Sequence, residues 1–516
     1  MSEPGLIEPN LFEPDAGEVV AVPADGSHRQ ILKSSAIIGG ASVINIALGL
    51  VRTKIAALVL GPAGVGLIGL FQNLVQTASN LAAFGLGTAG TRQIATAAGD
   101  DAALARARSA LLGGSLTLAL IGGATTWLLR EPLARWALGD AVQAATVGWL
   151  ALGVVFAVLG GAQTALLVGL RRIGDAAAIT IGSAVAGTLV GAGAVYFAGT
   201  SGIAAFVIAP LAAAWLVGAY FVYRLPRPKG ARPAPAELRA EFRVLLGAGA
   251  AFLVAGVGTT LAQLVARGLI QHRLGAVAVG QFQASWMISI VYVGFVLQAM
   301  GADYYPRLTE AIGRRAEAHR LIDEQSEVAL LLSAPVLLGT LGAAPWIIPL
   351  LYADAFAPAV EILRWQILAD LFKIASWPLG YVLLARCEAR TFMFAELAAS
   401  AVLIGSLAAL LPALGLPASG IAVLIACTLY LPALLVIVRL RTGYRWSREV
   451  AGLFFAVLAA AAATMALARV SNLTALAGGG VFAAIAAARA LVRLDEALPA
   501  FARRPVLAWR ALRRRG

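Results

Sequence analysis

A chain of 516 residues that is 60% hydrophobic and only 13% charged has too few polar groups to cover a water-exposed surface, which excludes a soluble globular protein. A net charge of +13 would ordinarily point to nucleic acid, but the cations sit in connections between apolar runs, so no nucleic-acid partner is expected. Two cysteines (Cys387, Cys427) and three scattered histidines (His28, His272, His319) offer no disulfide framework and no metal site.

The chain opens on residues 1–33, acidic at first and dotted with proline, without the basic start or apolar core of a signal peptide. They read as a disordered cytoplasmic tail or, alternatively, as a short partner-binding segment. About fourteen apolar runs of roughly 18–27 residues follow, each long enough to cross a bilayer. They lie near 34–59, 65–88, 107–129, 145–169, 174–198, 202–223, 245–270, 277–301, 328–351, 358–385, 391–412, 418–438, 449–468 and 474–492. The predicted fold class is therefore an all-α polytopic membrane protein.

Arg and Lys alternate between connections. One set holds clusters such as Arg106 and Arg108, Arg171 and Arg172, and Arg386 and Arg390; the other holds little beyond Arg130, Arg135, Arg273 and Arg469. The positive-inside rule then puts both termini in the cytoplasm and demands an even number of spans. A proline-rich connection at 226–244 divides an N-lobe (34–225, six spans) from a C-lobe (245–440, six spans). An extra helix pair (441–495) and a basic tail (496–516) complete the chain, and a cytoplasmic helix is predicted over 307–327. The two lobes repeat. Leu60-Gly61 and Val65-Gly66 recur as Leu274-Gly275 and Val279-Gly280, and Ser201-Gly202-Ile203-Ala204 recurs as Ser419-Gly420-Ile421-Ala422. Six spans per unit gives both lobes the same orientation, with a pseudo-twofold axis along the membrane normal and a cleft between them.

Span one carries Arg52 and Lys54 with apolar Ile55 to Leu60 still to follow. Cations inside a span mark a cavity, or else snorkel to the headgroups. Arg267 sits at the equivalent depth in span seven, and snorkelling explains each cation separately but not their pairing. Two positions apart on a helix is roughly 200°, so one of Arg52 and Lys54 faces the cleft squarely. Span two carries Gln72, Asn73, Gln76, Ser79 and Asn80 on about a third of its circumference, suited to a hydroxyl-rich ligand or to packing against a neighbour. Span eight adds Gln281, Gln283, Ser285, Trp286, Ser289 and Tyr292. In span ten, Asp370 and Lys373 lie at i and i+3 near mid-membrane, as a structural pair or a protonation-coupled switch, with Asp303 and Glu396 as further buried acids. None of the four lysines closes a phosphate-binding loop, and no nucleophile elbow or HExxH stands anywhere in the chain.

Residues 54–66 (KIAALVLGPAGVG), 167–176 (LVGLRRIGDA) and above all 365–396 (WQILADLFKIASWPLGYVLLARCEARTFMFAE) carry a family pattern, W-Q-x-x-x-D-x-x-K…G-Y…A-E. Over 34–440 the chain resembles the O-antigen translocases. These are lipid-linked oligosaccharide flippases of the multidrug/oligosaccharidyl-lipid/polysaccharide exporter superfamily, and the likeness is to the branch serving the lipid trisaccharide of enterobacterial common antigen. The resemblance implies alternating access in a bacterial inner membrane, no enzymatic activity and no cofactor. The cargo would be an undecaprenyl-pyrophosphate oligosaccharide such as an O-antigen repeat unit, moved from the cytoplasmic to the periplasmic leaflet. Arg52, Lys54 and Arg267 would hold the pyrophosphate, Gln72, Gln76, Asn80 and Trp286 the sugars, and Asp370 with Lys373 the coupling. Membrane lipids, a polysaccharide polymerase and a chain-length regulator would be partners. Spans thirteen and fourteen and the acidic N-terminal extension depart from the pattern. A cation-coupled multidrug exporter would instead want an acidic cavity. A membrane-embedded polymerase would want a large outward loop.

Overall fold

The computed structural model describes residues 24–139, 141–226 and 234–494. The two tails and the middle of the linker lie mostly outside that range. Among the described residues every extended element is a helix.

Helix α1 (Ala24–Ala83) is two crossings joined at Gly61, whose φ of 62° and ψ of −168° belong to a region only glycine enters freely. Pro62 follows, and its missing N–H lets the second limb start without continuing the first. Phe84 and Gly85, both with positive φ, then turn the chain into the short amphipathic α2 (Leu86–Ala97). Span two therefore stops at Ala83, not at the expected 88. Asp100 caps α3 (Asp101–Leu128) by accepting from the Ala102 amide at 2.8 Å. After α4 (Arg130–Leu138) and α5 (Ala144–Gly169), α6 (Ile173–Ala186) widens into a π-helical turn at Gly187–Ala192 before α7 (Gly193–Ala198). Helix α8 (Ile203–Tyr223) closes the first lobe.

Helix α9 (Pro235–Ala311) repeats the design of α1, with its fold-back at Gly275 (φ 81°, ψ 178°). The two fold-backs are 275 − 61 = 214 residues apart, the spacing of the Leu-Gly…Val-Gly repeat. Helices α10 (Arg315–Leu351), α11 (Ala359–Ala385), α12 (Ala389–Leu414) and α13 (Ala418–Thr442) complete the second lobe, and α14 (Arg448–Val470) and α15 (Asn472–Leu494) form the extra pair. The separate helix expected over 307–327 does not form: α9 runs through to Ala311, and α10 runs unbroken from Arg315 into span nine. The break falls at Ile312–Arg314, where Gly313 interrupts a run that is otherwise amphipathic throughout.

Among the described residues eleven stretches are long and apolar enough to span. Three of them, Gly39–Ala83, Ile173–Tyr223 and Val257–Val291, fold back on themselves, so 11 + 3 gives fourteen crossings. An even number brings Ala24 and Leu494 to one end of the bundle, here the terminal end, and Gly61 and Gly275 to the other, the kink end.

The lobes touch at both ends. At the kink end a Cβ added at Gly66 would strike the Ala276 carbonyl and lie 2.8 Å from the Gly280 amide; one added at Gly280 would strike the Pro62 carbonyl and lie 3.1 Å from the Gly66 amide. Each contact is the other shifted by 214, so the pseudo-twofold axis passes between these glycines. At the terminal end Gly85 packs backbone to backbone on Gly249, and the Gln93 amide donates to the Glu241 carboxylate. The extra pair leans on α10, where Gly479 approaches so closely that its Cβ would lie 3.0 Å from the Gly342 Cα. An ion pair of 3.8 Å between Arg493 and Glu327 joins them near the terminal end.

Candidate functional site

Between the lobes lies a cavity of about 830 Å³, inside the range of pockets that hold sizeable ligands. One wall is a stripe along the first limb of α1: Ser42, Asn45, Gly49, Arg52, Thr53 and Ala56. Those positions recur every three or four residues and share one helix face. Gln72 from the second limb, Gln283 and Met287 from α9, and Phe206 and Tyr352 also line it.

Arg52 is the charged residue of this lining. Its guanidinium lies 4.8 Å from the centre of the Phe206 ring, a cation–π distance, and its Nε finds no acceptor among the described residues. Behind it is Gly187, where a Cβ would come within 3.1 Å of Nη1, so the first residue of the π-helical turn must be small. The turn is fixed against α1 by Thr188, whose hydroxyl donates to the Leu48 carbonyl at 3.3 Å and to Ala184 at 2.8 Å. A cation held against an aromatic face beside a cavity has the chemistry to take an anion by charge-assisted hydrogen bonds.

The other expected cations stand elsewhere. Lys54 points away from the stripe, and its Nζ donates to the Pro349 carbonyl at 2.9 Å. That carbonyl belongs to the last turn of α10, where no intrahelical donor remains. Arg267 is 3% exposed and sits one layer behind the cavity. Its Nε donates to Gln283 Oε1 at 3.0 Å, its Nη1 to the Gln263 carbonyl at 3.1 Å, and its guanidinium lies 5.6 and 5.7 Å from the Phe282 and Trp286 rings. It thereby aims the Gln283 side chain, which lies so close against α1 that a Cβ at Gly69 would be 2.6 Å from its Cδ.

The polar stripe of span two also divides. Gln72 lines the cavity, whereas the Gln76 amide donates to Asn80 Oδ1 at 2.8 Å one turn on. The Trp286 ring has the Arg267 guanidinium 5.7 Å and the Lys373 amine 5.8 Å from its centre. Asp370 is 2% exposed and accepts 2.6 Å from the Ser289 hydroxyl, again on the second limb of α9. Glu396 accepts from the Tyr430 hydroxyl. The side chains of Tyr292 and Asp303 lie outside the described residues. Ser42, Asn45 and Gly49 are absent from the residues expected on sequence, although their 3.6-residue rhythm is visible there, and no sequence signal marks the π-helical turn.

Residues 31–312 match the family described as polysaccharide biosynthesis protein. The lipid III flippases of Escherichia coli (strain K12) and Shigella flexneri are each 23% identical to the chain over 400 residues, which is 75% of this chain and 92% of theirs. Among solved structures, the lipid II flippase MurJ in an inward closed conformation covers 90% of this chain and 99% of its own, at a TM-score of 0.67 and 12% identity. An inward-facing multidrug resistance MATE family transporter of the MOP superfamily gives 0.66 at 17% identity over 78% and 94%. An outward-facing one gives 0.57 at 19% over 80% and 95%.

Proposed function

From the chain's membership of the polysaccharide biosynthesis protein family, we infer that it is a flippase of the bacterial inner membrane for an undecaprenyl-diphosphate-linked oligosaccharide, an O-antigen or related repeat unit. The terminal end faces the cytoplasm, as the distribution of Arg and Lys requires. The observation that carries the reading is the inter-lobe cavity whose charged lining residue is Arg52, a cation with donors to spare.

The diphosphate is the part of such a cargo that lipid rejects most strongly. Arg52 would take it by charge-assisted hydrogen bonds, with Gln72, Asn45 and Gln283 beside it for the first sugar hydroxyls. Arg267 holds Gln283 in place and adds positive potential from behind, while Lys54 belongs to the contact at the kink end. The prenyl chain would stay in the bilayer. Alternating access then exchanges two existing contacts: Gly66 with Gly280 at the kink end, and Gly85 with Gly249 at the terminal end.

Outward movement of an anion across an inside-negative membrane gains about 2.3 kcal/mol per charge per 100 mV, so no nucleotide hydrolysis is needed. Asp370 is the coupling group of this reading. It is bonded to Ser289 on the same helix limb that carries Gln283, and Lys373 shares Trp286 with Arg267. A multidrug exporter of the same fold would present carboxylates to cationic drugs, and the charged lining residue here has the opposite sign.

The test is transfer of a labelled undecaprenyl-diphosphate oligosaccharide in proteoliposomes. Arg52→Ala should slow it about 100-fold, equivalent to ~3 kcal/mol of charge-assisted bonding. Unchanged transfer by that variant would overturn the assignment.

A further inference from the structure

A second cavity, of about 430 Å³, opens at the kink end where the extra helix pair meets the second lobe. It is lined by Glu361, Arg364 and Trp365 from the first turns of α11, by Leu416 and Pro417 from the α12–α13 turn, and by Met465 and Arg469 from the last turn of α14. Connections at this end of the bundle are poor in cations, so two arginines facing one small cavity are not a product of a generally basic surface. Arg469 alone could be explained as a cation complementing the C-terminus of α14. Arg364 has Glu361 one turn earlier on α11 as a charge partner, so Arg469 is the cation that brings the cavity a second positive charge.

The Arg364 side chain is fixed by one bond, Nη2 to Asn472 Oδ1 at 3.3 Å, supplied by the first residue of α15. Its Nε and the Trp365 indole N–H are shut off from solvent and meet no acceptor among the described residues. Donors of this kind are costly to bury unmet. Glu361 stands one turn before Arg364 on the same face of α11, so the cavity has an anion-binding side and an acidic rim. The rest of the lining is apolar, and the cavity lies where the ends of α11, α13 and α14 meet.

We propose that this cavity binds the zwitterionic headgroup of a membrane phospholipid with a primary amine, in the leaflet at the kink end. The phosphodiester lies between the Arg364 and Arg469 guanidinium groups, and the ammonium lies at Glu361. The cavity holds a headgroup and leaves the acyl chains in the bilayer along α14. The extra helix pair thereby gains a role, since it supplies Arg469 and, through Asn472, sets Arg364. The site needs no assumption about what the inter-lobe cavity carries.

The test is native mass spectrometry of the full chain in detergent, titrated with phosphatidylethanolamine, phosphatidylglycerol and phosphatidylcholine. The wild type should retain one phosphatidylethanolamine about tenfold more tightly than either other lipid. Arg364→Gln with Arg469→Gln should abolish that adduct. Glu361→Gln should keep phosphate binding but level phosphatidylethanolamine with phosphatidylglycerol, an outcome that mere unfolding would not produce. An unchanged adduct pattern in the double variant would overturn the proposal. So would a wild type that shows no preference among lipids, or one that binds acyl-free glycerophosphoethanolamine as tightly as the lipid.

Discussion

The first limb of α1 and the middle of α11 both carry charge into the membrane, and they treat it in opposite ways. Arg52 on α1 lines the inter-lobe cavity against the Phe206 ring and Gly187, and its Nε meets no acceptor among the described residues. On α11, Asp370 and Lys373 are packed into the second lobe, the acid on a hydroxyl and the amine against an indole. One charge is left uncommitted beside a cavity and the others are enclosed by neighbours; in the flippase reading proposed above, the first would meet the cargo and the acid would change its protonation state. The repeat makes the contrast sharper. The residue equivalent to Arg52 is Ala266, so the two lobes share a backbone plan but not a division of labour.

The contrast is broken most completely by reversing the sign at the open site. Arg52→Glu should abolish transfer in proteoliposomes, whereas Arg52→Lys should keep a tenth or so, since it retains charge but loses the planar fork. Next comes the axis on which both lobes depend. Gly280→Val must push into the Pro62 carbonyl and should lower thermal stability by about 1–3 kcal/mol, measured by fluorescence-detected unfolding, while holding the kink-end contact apart. Asp370→Asn should reduce transfer about tenfold and flatten its dependence on a proton gradient, with cargo affinity unchanged within about twofold. The smallest effects belong to Lys54→Ala, which loses one carbonyl contact worth about 1 kcal/mol, and Gln76→Ala, which should leave transfer within about twofold of wild type. A larger loss in Gln76→Ala than in Arg52→Lys would reverse the assignment of roles.

Much of the architecture was legible because bilayer thickness dictates the length of apolar runs. The fourteen crossings, the repeat and its offset could all be read from hydropathy and from Leu-Gly…Val-Gly. Long-range contacts could not. Lys54 finds a carbonyl 295 residues away, and no local pattern announces that the last turn of α10 will lie beside it. Gln76 and Asn80 satisfy each other, a choice that i, i+4 spacing permits but does not force. Gly187 sits in a stretch rich in alanine and glycine, where nothing distinguishes the residue that makes room for Arg52. The division at 226–244 follows the linker composition, and its middle lies outside the described residues.

The glycine pair on the symmetry axis has a consequence for how such a chain can arise. In a half-length precursor that dimerised, one residue would have faced its own copy, so Gly66 and Gly280 would have been a single position and any side chain there would have been met twice. Fusion of two such copies would relax that identity everywhere off the axis, leaving positions such as Arg52 and Ala266 free to differ. On the axis the steric demand would survive such a fusion, holding both halves to the same smallest residue.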